Sequence, residues 1–283
     1  MTTSSTPEQW LAVRESLRQA GDRFTRLLSS VRQPEAPAVG TWSVAQTAAH
    51  VAVVASSYTS LLPAMTKPHP IPGVDTRMRQ TALDELGGLN EYTLQHLTER
   101  DPMVLAVRVG SAVEQLLAIS DDLDPLRRVG WLGDAQLPIA GWYAHLLNEL
   151  LLHGRDIAGA VGAPWAIPQR DAAMAFEMFL VTLLSGDTGR LLEHEPMSRS
   201  RIAIRFRSRY TTPVTLVAQD SRMGVEPPDR TAVDATLFFE PAALMLILFN
   251  RLGKVRSALT GRVVVWGRRP WLLPAFLRAV RFP

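Results

Sequence analysis

Hydrophobic residues recur at three- and four-residue steps through the first half of the chain and at two-residue steps in parts of the second. Over residues 8–31, Leu17, Ala20, Phe24, Leu27 and Val31 fall on one side of a helix. A loop with Pro34, Pro37 and Gly40 follows. Ser43 and Gln46 then stand at the spacing of a capping box, in which each side chain satisfies the other residue's amide, so a second helix starts there. It runs through AAHVAVVASSY, apolar on nearly every side, which predicts burial. Pro68, Pro70, Pro72 and Gly73 end it. One helical region is expected over residues 76–98 and another over 102–119, with a turn-rich connection over 121–136. A long helix opens near Pro138, a residue type favoured in a first turn, and stops at Gly162, with Pro164 and Pro168 beyond it.

The period then changes. Residues 169–184 are still helical, but over 201–210 Ile202, Ile204 and Phe206 alternate with Arg201, Arg205, Arg207 and Arg209, the pattern of a half-buried strand. Residues 212–218, 232–239 and 263–266 also read as strands, and 241–250 and 270–280 as helices. The expectation is an all-α first domain, residues 1–165, and an α+β second domain with a small, mainly antiparallel sheet, residues 166–283. The helix from Gln169 fits against either. Charge divides at the same place. The first 165 residues carry 13 Lys/Arg against 17 Asp/Glu, the remainder 17 against 10, within 30 and 27 for all 283 residues. Opposite signs on the two parts make a chain-wide nucleic-acid surface an unnatural reading.

The chain has no cysteine, which excludes disulfides, a cysteine nucleophile and iron–sulfur ligation. Apolar runs such as 241–249 fall short of the ~20 residues of a membrane-crossing helix, and the N-terminal residues do not resemble a secretory signal, so a cytoplasmic setting is expected. Phosphate-loop, dinucleotide-binding, nucleophile-elbow and HExxH motifs are absent from the sequence.

What remains is carried by histidine. In AHLLNELLLHGRD, His145, Glu149 and His153 are spaced i, i+4 and i+8 and share one helix face. Asp156 is placed to orient a ligand from behind. The surrounding leucines predict burial, and an unpaired buried carboxylate costs several kcal/mol unless a partner neutralises it. A divalent ion would do so, with His50 from the buried second helix as third ligand and a position left open. A hydrogen-bonded Glu–His pair of the core has the same spacing, so both readings stand at this point. The arginine face of residues 201–209 suits an anion or a nucleic acid, or equally a solvated sheet edge, the preferred reading. Arg251, Lys254, Arg256, Arg268 and Arg269 enlarge that basic field. Arg77 and Arg79, after the proline-rich loop, are candidates for holding an anionic substrate, with surface arginine as the preferred reading.

TWSVAQTAAHVA (residues 41–52) and NELLLHGRDIAGAVGAPWAIP (residues 148–168) resemble the mycothiol-dependent maleylpyruvate isomerase family and its wider DinB-like metal-binding superfamily. FFEPAALMLILFNRLGKVRSALTGRVVVWG in the second part is similar in arrangement to the sterol-carrier-like domain that often follows in that family. The resemblance implies a DinB-like four-helix bundle, a divalent metal, usually zinc, on His50, Glu149 and His153, and mycothiol as thiol cofactor. His145 is expected to be a neighbour of the site and not a ligand. The implied activity is isomerisation or S-transfer on a small electrophilic substrate through a metal-activated thiolate. The alternative is a lipid or apolar-ligand binding protein that uses its second domain.

Overall fold

The computed structural model describes residues 6–62, 68–186, 201–220, 222–226, 232–253 and 260–279. Lys254 and Arg256 of the basic field lie outside them.

Helix α1 (Pro7–Ser30) opens with a capping box between Thr6 and Gln9 and buries Leu17, Ala20, Phe24 and Leu27 along one face. A short hairpin, β1 (Pro37–Val39) and β2 (Trp42–Ser43), leads into α2 (Val44–Leu61), where the expected Ser43/Gln46 capping box forms. The region expected as one helix over 76–98 is instead two, α3 (Val74–Gln80) and α4 (Leu86–His96), separated by a 3₁₀ turn at Leu83–Glu85. Helix α5 (Pro102–Ile119) begins at Asp101, whose carboxylate accepts from the Met103 amide. The turn-rich connection contains a second hairpin, β3 (Arg128–Gly130) with β4 (Gln136–Pro138), and α6 (Ile139–Val161) follows. Pro138 is the cap of α6 and not its first residue. Gly162, at φ 70°, ends it in the left-handed region that favours glycine.

Helices α1 and α2 each pack against both α5 and α6, so the four long helices close around a shared apolar interior. By length and composition alone, residues Pro102–Asp122 could cross a membrane, contrary to the sequence expectation. The cores of soluble proteins contain such helices, and here Leu105, Ala106, Val109, Ala112, Val113 and Leu116 of α5 are buried in the helical packing.

The second half starts with one helical run: α7 (Gln169–Met174), a π-helical stretch at Ala175–Val181, and α8 (Thr182–Leu184). Five strands then form one sheet in the order β7–β6–β5–β8–β9, comprising β5 (Ile202–Arg207), β6 (Val214–Gln219), β7 (Arg222–Glu226), β8 (Ala235–Phe239) and β9 (Val263–Gly267). Among the described residues, only β5–β8 is parallel in this sheet. Strand β7 has no counterpart in the sequence reading; Arg222-Met-Gly-Val-Glu lacks the β-branched density that marks the others. Helix α9 (Pro241–Leu248) connects β8 towards β9, and α10 (Leu273–Ala279) follows the sheet.

The helix from Gln169 packs on both parts. Phe176 meets Phe239 of the sheet, ring centroids 5.0 Å apart, while Phe179 meets His145 of α6 at 4.4 Å. A π turn shifts the side-chain register of a helix, and such turns recur at functional sites; here it serves two surfaces. The Gln169 side chain also accepts from the Ala242 amide, 3.0 Å.

Candidate metal centre

Two helices supply the site. Helix α2 presents His50, and α6 presents His145, Glu149, His153 and Asp156, the i, i+4, i+8 face read from the sequence. Glu149 Oε2 lies 3.2 Å from His50 Nε2 and 3.3 Å from His153 Nε2. One donor atom from each of the three residues lies within 4.8 Å of the other two, and all three residues are buried. Ligands about 2.0–2.1 Å from a tetrahedral ion stand about 3.3–3.4 Å apart, so the carboxylate–imidazole spacings fit a shared cation and fit direct hydrogen bonds equally.

His153 is held from behind, and His50 by ring packing. His153 Nδ1 is 3.1 Å from Asp156 Oδ2, the carboxylate–histidine arrangement that fixes ring and tautomer. Arg251 closes the chain of contacts, with Nη2 2.9 Å from Asp156 Oδ2 and Nε 3.3 Å from Oδ1. It comes from the turn after α9, where Asn250 adopts φ 59° and the amides of Arg251 and Leu252 both donate to Leu246 O. Asparagine tolerates this left-handed geometry better than most side chains, and the reversal returns Arg251 to α6. Among the described residues His50 has no hydrogen-bond partner at Nδ1; its ring is instead bracketed by Trp42 and His153, each 5.1 Å away by ring centroid. Gly154, beside His153, admits the Trp165 indole where a Cβ would sit only 2.1 Å from a ring carbon.

Burial opposes charge on every member. It lowers the pKa of His50 and takes that of His145 down to about 4. Burial also opposes the ionised Glu149, yet hydrogen bonds from His153 and His50 hold its carboxyl well below the usual range. His153 goes the other way: burial lowers it, but Asp156 and Glu149 together carry it to about 9. A raised imidazole pKa stabilises the fold fully below the ordinary value of 6.5 and loses that contribution as pH rises through about 9. Chelator-treated protein should therefore show a thermal midpoint that falls across this window, and the fall should shrink in His153→Gln; an equal fall in both would remove His153 as its source.

The cluster opens into a cavity of about 390 Å³ lined by apolar and aromatic side chains, including Trp42, Trp131 and Phe249, with Ser57, Tyr58 and Arg251 as polar groups. That size and mixture suit a small organic ligand. Arg77 and Arg79 are not part of this lining. They lie exposed on α3, and Arg77 stacks over Tyr92 at 4.1 Å. Arg251 is the residue that sequence reasoning placed elsewhere, in the basic field, because nothing local marks a contact that spans 95 residues. Along the arginine strand, Arg201 pairs with Glu226 at 2.8 Å and Arg207 is exposed.

Fold and site define a class: a helical scaffold whose interior holds a buried His–Glu–His cluster at the floor of an amphiphilic cavity, followed by a mixed helix–sheet region. Residues 17–158 match the family model described as the mycothiol maleylpyruvate isomerase N-terminal domain, and the chain belongs to that family. A crystal structure of a mutant of the mycothiol-dependent maleylpyruvate isomerase matches with a TM-score of 0.50 and 12% identity, covering 90% of this chain and 92% of that one. The structure of the same-named isomerase matches at 0.49 and 14% with the same coverage. At 12% identity the first of these likenesses is one of fold. Sterol Carrier Protein 2 from Yarrowia lipolytica aligns over 24% of this chain and 62% of its own at a TM-score of 0.20 and 14% identity. No curated protein sequence matches the chain.

Proposed function

We propose that this chain binds one divalent ion, zinc in the first instance, through His50, Glu149 and His153, and that it is a mycothiol-dependent isomerase or S-transferase acting on a small electrophilic substrate. The observation that carries the reading is the spacing of three buried donor atoms from two helices around one point, with Asp156 behind His153. Family membership supports mycothiol as the thiol; the chain, with no cysteine, supplies no thiol of its own. A divalent ion in such a site lowers the pKa of a bound thiol so that the thiolate is available at neutral pH.

The chain's own residues do the rest. Trp42, Trp131 and Phe249 give the space above the cluster apolar walls, against which a bound substrate displaces water and strengthens the electrostatic contacts inside. Arg251, held by Asp156, gives the cavity wall a fixed cation for an anionic group of the substrate, the role the sequence reading offered to Arg77 or Arg79. In this reading residues 1–165 form a DinB-like four-helix bundle and residues 166–283 a sterol-carrier-like domain, in a cytoplasmic protein. The apolar-ligand alternative gains nothing from the pocket between α6, α7 and α9, whose volume is about 10 Å³ against the roughly 300 Å³ that a ligand site needs.

Elemental analysis of purified protein, with Co(II) replacement and mycothiol titration, tests the proposal. The expected result is one divalent ion per chain and a sulfur-to-cobalt charge-transfer band that saturates with thiol. A protein that carries no ion after growth and purification without chelator, and takes up no Co(II), would refute it.

A further inference from the structure

On the Oε1 side of Glu149, along the wall of the same cavity, runs a line of buried polar groups. The Trp131 indole Nε1–H donates to Tyr58 Oη at 3.1 Å, and Tyr58 Oη lies 2.5 Å from His145 Nδ1. His145 Nε2 is 3.5 Å from Glu149 Oε1. Tyr58 and Trp131 are 2% and 3% exposed, so their polar atoms depend on these contacts. The directions of the bonds follow. An indole only donates, so Tyr58 Oη accepts from Trp131 and must place its own proton elsewhere. The acceptor within reach is His145 Nδ1. His145 is thereby held as the tautomer with its proton on Nε2, the nitrogen that faces Glu149 Oε1. Its ring has little room to do otherwise, with Phe179 and Trp131 edge-on at 4.4 and 5.0 Å.

The two oxygens of Glu149 therefore face different partners. Oε2 faces His50 and His153, and Oε1 faces His145. We propose that Tyr58 and His145 are positioning residues that engage Oε1, so that Glu149 serves the ion through Oε2 alone and a coordination position stays open towards the cavity. This deepens the metal-binding reading and rests on it. Without the relay the carboxylate is free to turn and present both oxygens, which adds a donor beside the exogenous ligand, raises the coordination number to five or more and crowds the position a ligand thiol or substrate would use. The arrangement also gives His145 a role that its spacing on α6 left undefined: it is a turn away from Glu149 and does not join the ligand cluster.

Co(II) spectroscopy separates these states, because four-coordinate cobalt absorbs far more strongly in the visible than five- or six-coordinate cobalt. The loaded wild-type protein should show the intense four-coordinate spectrum. Tyr58→Phe, a conservative change in a buried ring, and His145→Leu should each weaken it several-fold and lower Co(II) affinity by about tenfold or more. His145→Gln, whose amide places an N–H donor near the position of Nε2, should restore the four-coordinate spectrum. Nitrogen-resolved NMR of the unaltered protein should show His145 protonated at Nε2 and bare at Nδ1. A protein that takes up no Co(II) removes the metal reading and this one together. Normal uptake with an unchanged spectrum in both Tyr58→Phe and His145→Leu removes the relay alone, as does a His145 protonated at Nδ1.

Discussion

Replacing Glu149 with alanine should take the protein from one bound divalent ion per chain to none. Structural zinc sites bind with about 10–16 kcal/mol, so each ligand accounts for roughly 3–4 kcal/mol, or two to three decades of affinity. Glu149 exceeds that share because it is the anionic member of the triad, and its Oε2 is within 3.3 Å of both imidazoles. The loss should be readable in stability. An ion present at a thousand times its dissociation constant adds about 4 kcal/mol to the folded state. Chelator should therefore lower the thermal midpoint of the wild-type protein and leave that of Glu149→Ala unmoved. The sheet should survive: its Phe176, Phe206, Phe239 and Phe276 cluster is held by ring contacts among its own members. Hydrogen-exchange protection over β5 and β8 should persist in the variant. Unchanged zinc stoichiometry in Glu149→Ala would mean that the ion, where present, sits elsewhere.

The His–Glu–His cluster was legible because helical spacing is a local property. His145, Glu149 and His153 share a face whatever the rest of the chain does, and the leucines around them require that face to be buried. His50 needed one further step, that a histidine inside AAHVAVVASSY has to be buried as well. The Ser43/Gln46 and Gly162 boundaries were legible for the same local reason. What escaped depends on contacts across the chain. Tyr58 reads as one more apolar position of α2, and only the fold brings it to His145, 87 residues on. Arg251 reads as one basic residue among several, until the Asn250 reversal turns it onto Asp156. The break between α3 and α4 was missed because the hydrophobic pattern carries through it, while the chain turns at Leu83–Glu85. Strand β7 is identified by its pairing with β6, from Thr215 with Glu226 to Gln219 with Arg222, and not by its composition.

Asp156 is where the two halves meet at the site, and Asp156→Asn should weaken metal binding about 10- to 100-fold, the usual cost of altering a group that orients a metal-bound histidine. The change keeps the shape and an acceptor for His153 Nδ1, so what is lost is the charge that makes the imidazole a better ligand. Arg251→Leu tests the other side of the same contact and should behave differently. Asp156, with a side chain only 4% exposed, then keeps its charge with His153 as its remaining partner. The fold should pay about 1–3 kcal/mol for the lost charge-assisted bonds, while the ion, next to a more strongly donating Asp156–His153 pair, should be held at least as tightly as before. In the double variant the stability cost of Arg251→Leu should diminish, because no buried charge remains to be neutralised; a cycle of the four proteins by chemical unfolding measures that coupling directly. A fall in metal affinity from Arg251→Leu equal to that from Asp156→Asn would show that the arginine holds the ligand in place by its own packing. Wild-type affinity in Asp156→Asn would show that the walls of the cavity orient His153 without the carboxylate.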